Sequence, residues 1–135
     1  MAGYSPNPLI KKLGIKPGFR VIHMMEPRGY FKLLGKLPEG VEKVENPEPE
    51  SVDYIHLFAK DMETLEAEIL PAKHFLKKEG MLWISWPKGT SGVETDLNSN
   101  IVRGTGLNSG LVDIKVCAID DTWSALKFVY RTKDR

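Results

Sequence analysis

The chain carries three histidines and a single cysteine, and their spacing limits the chemistry they can do. His23 and His56 sit at equivalent places in two strand-like runs, VIHMM and YIHLF, so neighbouring strands would bring their imidazoles together. His74 belongs to a helical run. Two imidazoles with no third ligand at metal spacing read as core or near-core histidines, and no metal is expected. Cys117 has no CxxC partner and cannot form an internal disulfide; on a strand flank it reads as a buried, inert thiol. No GxSxG elbow, P-loop or HExxH motif occurs, so no catalytic residue is assigned. What remains is Glu26-Pro27-Arg28-Gly29, directly after the first strand-like run. Many open α/β folds carry at that place a glycine-rich loop that holds a cofactor's phosphates or carboxylate; this one has one glycine where the dinucleotide fingerprint has three.

The elements that must position these residues follow in a clear order. SPNPLIKKLG predicts a short helix capped by Ser5 or Asn7, with Pro8 in its first turn and Gly14 past its end. FRVIHMM predicts a first strand, apolar on both faces as a sandwiched parallel strand is. YFKLLG predicts a short helix, GVEKVE a second strand and VDYIHLFA a third. The strongest helix starts at a cap, Asp61, and puts Leu65, Ile69, Ala72 and Leu76 on one face. Pro71 should kink it, Lys77 and Lys78 suit its C-terminal dipole, and Gly80 should stop it before the strand MLWISW. PKGTSGVETD reads as a long flexible loop before a weak helix, LNSNIVRGTG. LVDIKVCAI and WSALKFVYR, separated by Asp120-Asp121-Thr122, predict a tight antiparallel hairpin. The sum is a three-layer α/β open sheet, mostly parallel with right-handed crossovers and a C-terminal antiparallel hairpin strand at one edge. The 135 residues suffice for one domain, 1–135, with a core that needs no disulfide or metal.

This order, together with LGIKPGFRV before the first strand and LKKEGMLWISWP across a later helix-to-strand junction, resembles the Rossmann-like core of class I S-adenosylmethionine-dependent methyltransferases. The resemblance runs from Leu13 to Arg131, with one strand-helix unit shortened or missing. More specifically, SPNPLIKKLGIKPGFRV, MLWISWPKG and VDIKVCAIDDTWSALKFV resemble the signature segments of a family of small bacterial proteins built on a domain of unknown function, which brings no activity with it. The methyltransferase resemblance implies that S-adenosylmethionine would lie over an E/DxGxGxG loop after strand one, with an acidic residue ending strand two on the ribose hydroxyls. Glu45 stands at that acidic position, where a solvated surface glutamate is the plainer reading. Gly29 is the sole glycine of the loop, Pro27 removes a backbone donor and Arg28 adds bulk, so the cradle is incomplete and no cofactor is expected, with S-adenosylmethionine the alternative.

Ligands of open parallel sheets bind outside the carboxyl ends of the strands. Four segments should meet there, offering Arg28, Lys60, Asp61, Ser85, Trp86, Lys88, Asp120, Asp121, Trp123 and Ser124. Two tryptophans could stack a planar ligand, while lysines and Arg28 neutralise an anionic group. Each has a plainer role: Trp86 and Trp123 as core lids, Asp61 as a helix cap, Asp120 and Asp121 as turn residues, Pro27 and Gly29 as a turn. Lys127, inside the last strand, should snorkel at a sheet edge or pair with Asp113 or Asp120.

Composition bounds the function classes. Lys plus Arg total 19 against 18 acids, so a net charge of +1 gives no global pull toward nucleic acid or membrane, and any binding must be local. The lysines at 11, 12, 16, 32 and 36 are followed closely by acids at 39, 42, 45, 48 and 50, so nucleic-acid binding is expected to be weak and salt-sensitive at most. No run approaches the roughly 18 to 20 apolar residues of a membrane span and no signal-peptide pattern opens the chain, so the protein is read as cytoplasmic. The favoured reading is a non-catalytic methyltransferase-like module for a protein partner or small anionic ligand. The alternatives are an atypical S-adenosylmethionine or nucleotide-binding enzyme using the same cleft, and self-association through the hairpin edge.

Overall fold

The structure, a computed structural model, describes residues 8–135. Among them, strands β1 (Arg20–Met24), β2 (Glu42–Lys43), β3 (Val52–Phe58), β4 (Leu76–Pro87), β5 (Leu111–Ala118) and β6 (Trp123–Tyr130) form one sheet in the order β2-β1-β3-β4-β6-β5. The first four are mutually parallel, and β6 runs antiparallel to both of its neighbours. The last strand is therefore interior, inserted between β4 and β5, and the free edge on that side belongs to β5. This differs from the expectation of an uncovered final strand: β6 pairs on both sides because its apolar content, with Ala125, Leu126 and Phe128 buried, requires it.

Helices α1 (Leu9–Leu13), α2 (Tyr30–Leu34), α3 (Met62–Phe75) and α4 (Ser99–Asn108) cover the two faces. α3 and α4 bury Leu65, Ile69, Ala72 and Val102 against Ile55, Leu57, Leu82, Ile84, Leu126 and Phe128. On the other face, α1 and α2 bury Leu13, Tyr30 and Leu34 against Val21, Tyr54, Phe58, Trp83 and Ala125. α1 and α2 have five residues each and are too short to persist alone, so docking holds them. No helix among the described residues is long and apolar enough to cross a membrane.

Local rules account for most boundaries. Gly14 ends α1 in the left-handed conformation, φ 83°, and the Asp61 carboxylate caps α3 by accepting the Thr64 N–H at 2.8 Å. The proposed caps Ser5 and Asn7 lie outside the described residues. β1 packs apolar side chains on both faces, Val21 into one core and Ile22 and Met24 against the other, though only Val21 is fully buried because its outer neighbour β2 has two residues. Three expectations change. Gly80 does not stop α3, which ends at Phe75, and β4 begins at once. Gly80 sits where the β3–β4 register shifts; a side chain there would meet Leu76 Cδ1 at 2.8 Å and the Val52 carbonyl at 3.0 Å. Lys77 serves no helix dipole and pairs instead with Asp53 at 2.9 Å. The loop after β4, expected to be free, is tied to the start of α3: Thr95 donates its hydroxyl to the Lys60 carbonyl, and Asp96 accepts the Met62 N–H at 2.8 Å.

Candidate functional site

The connection from β1 to α2 shapes the carboxyl end of the sheet. The Pro27 carbonyl accepts the Tyr30 N–H at 3.1 Å, and Gly29 at φ 81°, ψ 0° has the geometry of the third residue of a type II turn. Glycine is needed there because that position requires a positive φ. Just before it, Met25 is held at φ 59°, a strained angle for a non-glycine residue, and is 61% exposed. Beyond β3, Lys60 and the α3 cap Asp61 form the opposing wall.

Between these walls lies a cleft of about 360 Å³. Met25, Glu26, Pro27 and Arg28 line one side, Lys60, Asp61 and Thr64 the other, and the rings of Phe58 and Trp123 close the bottom. The two rings meet edge to face, with centroids 5.2 Å apart. Of the sequence-derived candidates the structure brings Arg28, Lys60, Asp61 and Trp123 together here. It places the others elsewhere. Trp86 is buried on the opposite sheet face in the core under α3 and α4, and Ser124 faces the same way as its strand partner Trp86. Asp120 makes a side-chain turn, accepting the N–H groups of Thr122 at 2.9 Å and Trp123 at 2.8 Å, and Asp121 projects beside it into solvent. Lys88 fastens the hairpin through its own N–H, donated to the Thr122 carbonyl at 2.7 Å. Glu45 is exposed beyond β2 and does not line the cleft.

Ser85 belongs to a second, fully buried constellation beneath the cleft floor. β3 puts Tyr54, His56 and Phe58 on one face at alternate positions, and the register of β4 brings Ser85 alongside. His56 Nε2 lies 2.6 Å from Ser85 Oγ, and His56 Nδ1 lies 3.1 Å from the Tyr54 hydroxyl and 3.4 Å from that of Tyr30. With Nε2–H donating to Ser85, Nδ1 is the acceptor that the Tyr54 hydroxyl, and at longer range that of Tyr30, face. Burial, then His23, holds His56 well below the usual histidine pKa, so the ring is neutral; burial raises both tyrosines. Phe58 stacks on the imidazole at 4.1 Å and seals it from the cleft.

His23 and His56 are register partners, as their spacing implied, with ring centroids 6.1 Å apart. His23 packs edge-on to Phe31 at 4.9 Å, its Nε2 is buried without a hydrogen-bond partner among the described residues, and burial, then Lys43, lowers its pKa to about 4. His74 is exposed on α3. Cys117 is buried, and burial raises its thiol pKa, with Lys12 and Lys115 partly opposing. Phe58, Tyr30 and Tyr54 were absent from the sequence-derived set; the period-two spacing of Tyr54, His56 and Phe58 is the signal that could have found two of them.

No protein-family model matches the sequence, and no curated protein matches it. Solved structures do resemble the fold. A SAM-dependent methyltransferase from Aquifex aeolicus aligns over 89% of this chain and 86% of its own, at 15% identity and a TM-score of 0.57. Aeropyrum pernix fibrillarin, solved with natively bound S-adenosyl-L-methionine, aligns over 90% of this chain and 72% of its own, at 15% identity and a TM-score of 0.60. A TehB-like SAM-dependent methyltransferase from Corynebacterium glutamicum aligns over 85% and 82%, at 9% identity and a TM-score of 0.52. The fold is thus that of the Rossmann-like class I methyltransferases, with a mostly parallel sheet and an antiparallel C-terminal pair.

Proposed function

We propose that this chain is a methyltransferase-like binding or interaction module without turnover, whose carboxyl-end cleft takes a small ligand, or a group on a protein partner, that combines a flat apolar part with an anion. The observation that carries the reading is the β1–α2 connection. It is a type II turn with Arg28 and Pro27 where a glycine cradle would let a cofactor's backbone contacts form, and its side chains wall the cleft. The residues present do not fit S-adenosylmethionine held in the ordinary way: one glycine remains, Pro27 has no N–H, and Glu45 stands outside the cleft. Arg28 and Lys60 on opposite walls provide the cations, and Phe58 and Trp123 the apolar floor; the Asp61 carboxylate is engaged by the Thr64 N–H.

A second reading is an atypical S-adenosylmethionine or nucleotide-binding enzyme using the same cleft. The volume of about 360 Å³ and the resemblance to fibrillarin solved with its cofactor favour it. Calorimetric titration with S-adenosylmethionine and S-adenosylhomocysteine separates the two, using the wild type, Trp123→Ala and Arg28→Ala. Absence of heat at millimolar ligand supports the module. Micromolar binding that Trp123→Ala abolishes would replace it with the enzyme reading. Trp86→Ala would not test the cleft, because Trp86 lies on the opposite sheet face and does not line it.

A further inference from the structure

The antiparallel ladder between β5 and β6 sets Lys115 directly opposite Lys127. Like charges in that relation destabilise a strand pair. Neither lysine has a carboxylate: the ion pairs of the described residues are Arg20–Glu42, Lys77–Asp53, Lys78–Glu50 and Arg103–Asp113. Asp113 is on the opposite sheet face by register and is taken by Arg103 at 2.9 Å, so the pairing expected for Lys127 does not form. Nor is Lys127 at an edge, since β6 is interior.

Two more lysines come from α1 and the turn after it. Lys115 Nζ reaches the Lys12 carbonyl at 3.5 Å, which brings the end of α1 against β5. Lys16 is exposed in the turn that follows α1, and burial, then Lys115 and Lys16, hold the Lys127 ammonium below the usual lysine range. Residues 1–7, MAGYSPN, contain no acid that would neutralise it. The overall charge of +1 conceals the cluster because Glu42 and Glu45 are exposed on and just beyond β2, at the far edge of the sheet, and Glu50 pairs with Lys78.

We propose that Lys12, Lys16, Lys115 and Lys127 form a contact surface for a nucleic acid, binding its phosphodiester backbone without reading bases. Lysines are point charges that neutralise phosphates without bidentate geometry, and the aromatic ring paired with Lys127 in the sheet, Trp83, is fully buried and unavailable for stacking. The surface is separate from the cleft: Lys127 follows Trp123 by four residues along β6, about 13 Å of strand. It acts whatever the cleft binds.

The test is fluorescence anisotropy with a labelled single-stranded oligonucleotide of mixed sequence across a salt series. With four phosphates neutralised, log K should fall linearly with log salt with a slope of about −3. Lys115→Gln with Lys127→Gln should weaken binding several-fold at low salt and reduce that slope by about 1.4. The Lys→Arg pair should retain both, and Lys32→Gln with Lys36→Gln, around α2, should change neither. Should the Lys127 variant fail to fold by circular dichroism, Lys16→Gln with Lys115→Gln, both exposed, must produce the same decrement. No binding at low salt, or a slope indifferent to these lysines, would overturn the proposal. A polyglutamate peptide binding as tightly with the same slope would overturn it too, assigning the surface to an acidic protein.

Discussion

At the scale of single residues, the polar interior turns on His56, which is fully buried and bonded at both ring nitrogens. Ser85→Ala leaves the Nε2–H without an acceptor, and unfolding in urea should show a loss of about 1–3 kcal/mol. The two buried histidines also set a pH dependence. Both have folded pKa values below the unfolded one of 6.5, so the unfolded chain binds protons that the folded chain does not. Their contribution is intact above pH 6.5 and is lost as pH falls toward about 4, where His23 itself titrates. Stability against pH should slope across that window by about 1.4 kcal/mol per unit for each histidine, and His23→Phe should remove roughly one proton from the slope. The pairing of His23 with His56 was legible in the sequence, because strand alternation fixes which side chains share a face. Ser85 and Trp86 were not legible as they stand: adjacent residues of one strand point to opposite faces, and which face is which depends on the register with β3.

At the scale of elements, α4 looked weak in sequence because of Gly104 and Gly106, and the structure separates their reasons. A Cβ at Gly106 would come within 2.1 Å of the Phe128 ring, while one at Gly104 meets nothing within 4 Å. Gly106 is thus the contact by which α4 reaches β6. Gly106→Ala should lower the melting temperature by several degrees through overpacking. Gly104→Ala should raise stability by up to about 1 kcal/mol through helix propensity alone. Thermal melts followed by circular dichroism check both, and a parallel response of the two variants would show that packing on Phe128 is not what demands glycine. Helix and strand identities were readable from period and caps. The α3–β4 boundary was misplaced because Gly80, an apparent helix stop, serves a close approach of backbone inside the sheet that has no signature along the chain.

At the scale of the whole molecule, the sheet has one long free edge, β5, guarded by an irregular register around Ile114 and by Lys115, with Ile114 56% and Val116 64% exposed. A bulge and a lysine are devices that keep edges from pairing. Lys115→Val should therefore promote association at high protein concentration in light scattering, where the wild type scatters less. The α/β class, the alternation of strands and helices, the closing hairpin and the lack of a glycine cradle after β1 were determined by the sequence alone, because periodicity, turn chemistry and a missing residue type are local properties. The insertion of β6 between β4 and β5, the separation of Trp86 from Trp123, the convergence of Tyr30, Tyr54 and Ser85 on His56 and the placing of Lys115 opposite Lys127 were decided only by tertiary structure. Each depends on strand order and register, which join residues far apart in the chain, and local spacing carries no record of such joins.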